Sequence, residues 1–214
     1  MNDLSNYRKS YEKSELLETN LPEDPINLFK RWFHEAEDFG GSGEVNAMTI
    51  STIGLDGFPK SRVVLLKKFY EEGFIFYTNY DSEKGKAIEA NPNVCLSFFW
   101  QEMERQVIIK GIAQKTSENI SDGYFDTRPD GSKLGAIASN QSEVIPSREF
   151  LEEKLKKAES EYQGKDIPRP ENWGGYIVTP LQVEFWQGRP NRLHDRIRYT
   201  GESDFSWKIE RLSS

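Results

Sequence analysis

Past residue 24 the apolar side chains Ile26, Phe29, Trp32, Phe33 and Ala36 recur at helical spacing, which gathers them on one face of a helix. Asp24-Pro25 marks its start, with Asp as N-cap and Pro at the first helical position, and Gly40-Gly41-Ser42-Gly43 marks its end. From 45 to 116 the period shortens to that of strands, with runs at 47–53, 61–67, 73–77, 94–100 and 106–115 separated by turn residues. Leu55-Asp56-Gly57 is a hairpin signal between the first two. A short capped helix over 81–88 is stopped by Asn91-Pro92. Helical spacing returns over 117–128 and 132–138, interrupted by Pro129-Asp130-Gly131, and over 147–162, where Phe150, Leu151, Leu155, Ala158 and Tyr162 form the inner face. Strands at 175–178, 182–186, 192–199 and 207–211 close the chain. Helix and strand do not alternate as a doubly wound parallel sheet requires, so the pattern predicts an α+β chain, mostly β, built on an antiparallel meander or barrel with peripheral helices. Residues 1–22 are polar and weakly patterned, and read as a mobile arm or a segment that orders on something else, leaving 23–214 as a single domain.

Composition narrows the classes. The 214 residues carry 28 Lys+Arg against 35 Asp+Glu, a formal charge of −7. With no basic block, the chain lacks the footprint of a nucleic-acid binder. Aromatics make up 13%, enough to build a core despite only 36% hydrophobic residues. Cys95 is the sole cysteine, which excludes an intramolecular disulfide and any multi-cysteine metal site, and its apolar surroundings predict a packing role. The N-terminus has no apolar core of the secretory kind and no stretch is long enough to span a membrane, so a cytoplasmic protein is expected.

Against this acidic background, local cationic patterns stand out. Strand alternation over Arg192-Leu193-His194-Asp195-Arg196-Ile197-Arg198 would put Arg192, His194, Arg196 and Arg198 on one face, either as a charged sheet edge or around a missing anion. Tyr124 and Arg128 stand one helical turn apart, and Ser132 opens the next helix, where free amides and the dipole favour an anion. The same spacing also fits an ordinary helix-turn-helix with polar surface groups. Arg62 and Lys67 bracket an apolar strand with opposite parity, which one ligand on one face cannot satisfy unless Lys67 lies past a bulge or a strand end; two neighbouring anionic ligands would also resolve it. Lys84 sits in a first helical turn, unfavourable for a cation without an anion nearby, although a long lysine can bend into solvent. The glycine-rich run at 40–43 does not match a dinucleotide fingerprint, and no Walker A sequence is present.

Several runs carry a resemblance to a known family. Ser61-Arg62-Val63-Val64-Leu65-Leu66-Lys67, Phe76-Tyr77-Thr78-Asn79-Tyr80, Glu104-Arg105-Gln106-Val107, Arg128-Pro129-Asp130-Gly131-Ser132, Gln141-Ser142 and Arg192-Leu193-His194-Asp195-Arg196 resemble the pyridoxamine 5′-phosphate oxidases, in family order from about 24 to 211. The resemblance implies an antiparallel split β-barrel that binds FMN, a homodimer with sites at its interface, and oxidation of pyridoxamine or pyridoxine 5′-phosphate to pyridoxal 5′-phosphate. It further implies O2 as acceptor, hydrogen peroxide as product, and ammonia from the amine. By motif, Arg62, Val63, Val64, Leu65, Leu66, Lys67, Tyr77, Thr78, Lys84, Gln106, Gln141, Ser142, Trp186 and Arg196 would hold FMN. Lys67, Tyr124, Arg128 and Ser132 would hold the substrate phosphate, Arg192 and His194 would cover the pyridine ring as catalytic residues, and Arg8 and Tyr11 would belong to the segment that closes over the site. No metal is implied. Position 83 departs from the family pattern: Glu stands where an Arg is usual, so repulsion of the FMN phosphate is expected if it faces inward. A flavin reductase of the same fold, or a non-catalytic carrier of FMN or pyridoxal phosphate, is the rival reading.

Overall fold

A computed structural model describes residues 2–7, 9–39 and 43–214. Gly40, Gly41 and Ser42 of the expected helix end, and Arg8, lie outside the described residues. The first helix, α1 (Pro25–Phe39), starts where the Asp-Pro signal puts it, with the Asp24 carboxylate accepting the Ile26 amide at 2.7 Å. The strands are β1 (Ala47–Ile53), β2 (Pro59–Leu65), β3 (Lys68–Tyr70), β4 (Gly73–Asn79), β5 (Asn93–Trp100), β6 (Arg105–Lys115), β7 (Trp173–Gln187), β8 (Asp195–Gly201) and β9 (Trp207–Arg211). They form one sheet in the order β2-β1-β5-β6-β7-β4-β3, with β8 joining β7 and β9 joining β8. The remaining helices are α2 (Glu83–Ala90), α3 (Glu118–Asp126), α4 (Asp130–Ala138) and α5 (Arg148–Tyr162). Among the described residues no helix is long and apolar enough to cross a membrane.

Two compact units emerge from the packing, one of residues 1–50, 95–111 and 180–214, the other of 51–94 and 112–179. In the first, the apolar face of α1 supplies its core: Phe29 meets Phe98 edge-on at 5.1 Å and Trp32 meets Phe185 at 5.2 Å. Here β8 pairs antiparallel with the end of β7, Trp186 opposite Arg196, and with β9, Arg198 opposite Glu210. The N-terminal segment is tied to this unit: the buried Glu104 carboxylate accepts the amides of Glu12 and Lys13 at 2.9 and 3.1 Å, and Asp195 accepts that of Leu16 at 3.0 Å.

In the second unit β4 is sandwiched between β3 and the start of β7, with Tyr77 opposite Gly175. Phe74, Phe76, Phe125, Trp173 and Tyr176 are its buried aromatics among the described residues. Gly57, at φ +82°, makes the β1–β2 turn that the Asp-Gly signal predicts. Helix α2 is held by Ser82, whose buried hydroxyl accepts the Gly85 amide at 3.3 Å and donates to the Asn79 carbonyl at 2.6 Å. A Cβ on Gly85 would fall 2.0 Å from the Tyr80 carbonyl oxygen, so only glycine lets this helix approach so closely. Ser82→Ala removes the cap and is expected to cost about 1 kcal/mol, lowering Tm by about 2–4 °C. Thermal unfolding followed by circular dichroism checks this, and an unchanged Tm would show that the cap contributes nothing.

Three expectations need correction. The strands read as 175–178 and 182–186 are one continuous strand, because Pro180 is tolerated within β7. A short β3 was missed, since three residues give too little alternation to see. The strand expected from Arg192 begins only at Asp195: Asn191 and Arg192 both adopt positive φ, 58° and 62°, in a tight turn.

Candidate anion-binding cleft and the His194 cluster

A cleft of about 980 Å³ opens in the second unit, near the upper end of the range for small-molecule sites. Its cations are Lys60, Arg62, Lys67, Lys84 and Arg128, and Glu83 is the sole carboxylate among its described lining residues. Of the sequence-predicted residues it gathers Arg62, Val63, Val64, Leu65, Lys67, Tyr77, Thr78, Lys84, Tyr124, Arg128, Ser132, Gln141 and Ser142. Leu66 is buried and does not line it. The parity conflict between Arg62 and Lys67 is resolved by a strand end: β2 stops at Leu65, and the Lys67 amide turns to the Ile75 carbonyl at 2.8 Å.

Lys84 does not bend into solvent. Its side chain is buried, and its ammonium donates to Thr78 Oγ1 at 3.0 Å, Gln141 Oε1 at 2.9 Å and Ser82 Oγ at 3.3 Å, all neutral oxygens. Burial, with the charge of Arg62 adding to it and Glu83 opposing, brings its pKa down to about 8. Arg62 is anchored on Thr52 Oγ1 at 2.7 Å and the Lys60 carbonyl at 2.8 Å.

At the other side of the cleft Tyr77 stacks on Tyr124 with centroids 3.9 Å apart and planes 18° apart. Trp173 extends the stack, 5.7 Å from Tyr77, and the Arg128 guanidinium lies over the Trp173 ring at 4.5 Å. The Arg128 Nη1 is buried with no hydrogen-bond partner, an arrangement that costs free energy unless a ligand atom completes it. Ser132 differs from expectation in one respect: its amide is already spent on the Pro129 carbonyl at 2.8 Å, so its hydroxyl is what remains for a ligand. A buried ammonium with neutral partners, an orphaned guanidinium nitrogen and stacked aromatic rings suit a planar molecule bearing phosphate. Trp173 and Lys60 were not singled out in the sequence, Trp173 because a lone tryptophan before a strand reads as core.

The rest of the predicted residues belong to the first unit. Trp186 and His194 rings lie 4.7 Å apart, and Tyr11 packs on both, at 5.7 and 5.8 Å. The Arg189 amide donates to His194 Nδ1 at 3.1 Å. That bond fixes the neutral tautomer with its proton on Nε2. Burial, then the charge of Arg192, lower the His194 pKa from its ordinary value, with Asp195 opposing, which favours the neutral ring. Ser214 Oγ donates to the Arg192 carbonyl at 2.6 Å and accepts the His194 amide at 2.9 Å, clamping the turn. Gln106 donates to Ser97 Oγ at 3.4 Å. The reading of four stacked cations around a missing anion fails for the strand itself: Arg196 is paired with Glu184 at 2.8 Å and Arg198 with Glu210 at 2.8 Å. Neighbouring strands supply the counter-charges that the local sequence could not display. The Cys95 thiol is half-buried, with its pKa raised by burial, as packing rather than reactivity demands.

Fold and cleft together define a split-barrel protein with a cationic cleft. Two family models match, one described as pyridoxamine 5′-phosphate oxidase over 35–162, the other as the pyridoxine 5′-phosphate oxidase C-terminal dimerisation region over 173–214. The chain belongs to the pyridoxamine 5′-phosphate oxidase family. It is 89% identical to a pyridoxine/pyridoxamine 5′-phosphate oxidase of Flavobacterium johnsoniae over 214 residues, covering 100% of both chains. A Trichormus variabilis protein of the same name is 50% identical, with 98% of each chain covered. Among solved structures, PhzG from Burkholderia lata 383, in complex with tetrahydrophenazine-1-carboxylic acid, aligns at a TM-score of 0.87 with 29% identity, covering 95% of this chain and 100% of that one.

Proposed function

We propose that this protein oxidises pyridoxamine 5′-phosphate and pyridoxine 5′-phosphate to pyridoxal 5′-phosphate with FMN as cofactor. Each turnover removes two electrons and two protons from the substrate, one hydrogen from the carbon being oxidised and one from its hydroxyl or amino group, and delivers them to O2 as hydrogen peroxide; the imine formed from the amine is then hydrolysed by water, releasing ammonia. The observation that carries the reading is the cationic cleft with its orphaned Arg128 nitrogen, in a chain whose relatives bear the oxidase name. FMN supplies the redox chemistry when bound.

The chain's own residues bind, orient and hold protons. Arg62, Lys84, Thr78, Gln141 and Ser142 line one part of the cleft and are assigned to the FMN phosphate. Val63, Val64 and Leu65 line the same cleft and are assigned to FMN with the buried Leu66. Lys67, Tyr124, Arg128 and Ser132 are assigned to the substrate phosphate. Arg192 and His194 are the proposed ring contacts, His194 as an Nε2–H donor at neutral pH. Gln106, Trp186 and Arg196 are assigned to FMN by the same resemblance, and Tyr11 to the covering segment, in keeping with its packing on His194. A homodimer is proposed on the match of 173–214 to a dimerisation region.

The test is an anaerobic stopped-flow mix of the FMN-loaded protein with pyridoxine 5′-phosphate, then admission of air. Bleaching of the flavin, recovery in air and stoichiometric aldehyde are expected. A flavin that stays oxidised with either substrate would overturn the oxidase and leave the carrier.

A further inference from the structure

Glu83 is an anomaly in a cleft whose other charged lining residues are all cations. It occupies the first turn of α2, next in sequence to Lys84, and its charge acts on both Lys84 and Arg62, which line the same cleft. That carboxylate is held at 2.5 Å by the ammonium of Lys60, both side chains being about half exposed, at 49% and 56%. Lys60 stands two residues before Arg62 in β2, on the same strand face by alternation. Its own carbonyl accepts the Arg62 guanidinium at 2.8 Å, so one residue touches both the anion-binding arginine and the offending carboxylate.

We infer that Lys60 is a positioning residue for the cofactor-phosphate subsite and acts through Glu83, cancelling its charge so that a dianionic phosphate can settle on Lys84 and Arg62. This inference rests on the assignment of that subsite to the FMN phosphate. In the ligand-free protein the same carboxylate is useful, because it offsets the mutual repulsion of Arg62 and Lys84. Lys60 reconciles the two states. Removing it leaves a lone carboxylate facing the incoming phosphate, and removing Glu83 as well leaves nothing for Lys60 to neutralise.

A double-mutant cycle reads this coupling. Wild type, Lys60→Met, Glu83→Gln and the double variant, each stripped of FMN, are titrated with FMN by quenching of flavin fluorescence, and in parallel with riboflavin, which lacks the phosphate. Lys60→Met alone should weaken FMN binding about three- to tenfold, as expected of an exposed pair acting on a double charge. The penalty should shrink in high salt. In the Glu83→Gln background the same substitution should change FMN affinity less than about twofold, and riboflavin affinity should be insensitive to Lys60 in either background. Equal penalties in both backgrounds would make Lys60 a direct phosphate ligand or an unrelated contributor, and no penalty in either would make the pair inert; each overturns the inference alone. A wild-type protein that binds riboflavin and FMN equally overturns the subsite assignment, and the inference with it. Both side chains are exposed, so the variants should fold, and matching thermal unfolding curves verify it.

Discussion

Arg128→Met is expected to raise KM for pyridoxine 5′-phosphate by about one to two decades while leaving kcat within a few-fold, since one charge-assisted hydrogen bond to a phosphate is worth about 1.5–3 kcal/mol. The contact would be made in ground and transition states alike, which is the pattern that moves KM rather than kcat. A second readout separates this from structural damage. In the ligand-free protein Arg128 Nη1 is buried without a partner, and burial lowers the guanidinium pKa, with Tyr124 opposing. Truncation to an apolar chain of similar length therefore removes an unsatisfied donor while preserving much of the packing on Trp173, so Tm should hold or rise. Substrate lacking the phosphate should be insensitive to the change. A KM within twofold of wild type would show that the phosphate lies elsewhere in the cleft; a large fall in Tm would show that Arg128 is structural.

What the sequence discloses about this site depends on whether the physics is local. Apolar periodicity located α1 and most strands, because a face that must be buried repeats at the period of its element. The opposite parity of Arg62 and Lys67 was visible as a contradiction, and its remedy, a strand end between them, was among the alternatives parity allows. Tyr124, Arg128 and Ser132 were legible as a turn joining two helices, though not the stacking of Tyr77, Tyr124 and Trp173, which brings residues from three distant segments together. Non-local counter-charges were invisible: Glu184 and Glu210 neutralise Arg196 and Arg198 across strand pairings that no window of sequence contains. So was Lys60, whose partner lies 23 residues away. The N-terminal segment reads as mobile because its anchors, Glu104 and Asp195, are remote and its own residues are polar. Positive φ at Asn191 and Arg192 broke the expected alternation for a similar reason: the clamp that holds the turn comes from Ser214, 22 residues further on.

The pH dependence of cofactor binding should turn on Lys84. Its pKa of about 8 in the ligand-free protein, lowered by burial and then by Arg62, means that the ammonium is lost on going from pH 7 to 9.5. A phosphate monoester has its second pKa near about 6 and stays dianionic over that range. FMN affinity is therefore expected to be nearly flat between pH 7 and 8 and to fall by up to about tenfold per unit above it, as binding must first restore the proton. Tyr77 does not compete in this window, since burial and then Tyr124 push its pKa up to about 12. Lys84→Met should weaken FMN by about 10- to 150-fold at pH 7, on the same hydrogen-bond magnitude, and should abolish the decline above pH 8. Stability runs the other way. Because the folded-state value lies below the ordinary lysine value of 10.5, the unfolded chain binds more protons between about pH 8 and 10.5, and the Lys84 contribution to stability rises with pH across that interval. Wild type without FMN should thus gain stability relative to Lys84→Met as pH rises while losing affinity for FMN, opposite trends that only a buried cation awaiting an anion produces together. An FMN affinity that stays constant from pH 7 to 9.5 would remove Lys84 from the phosphate subsite.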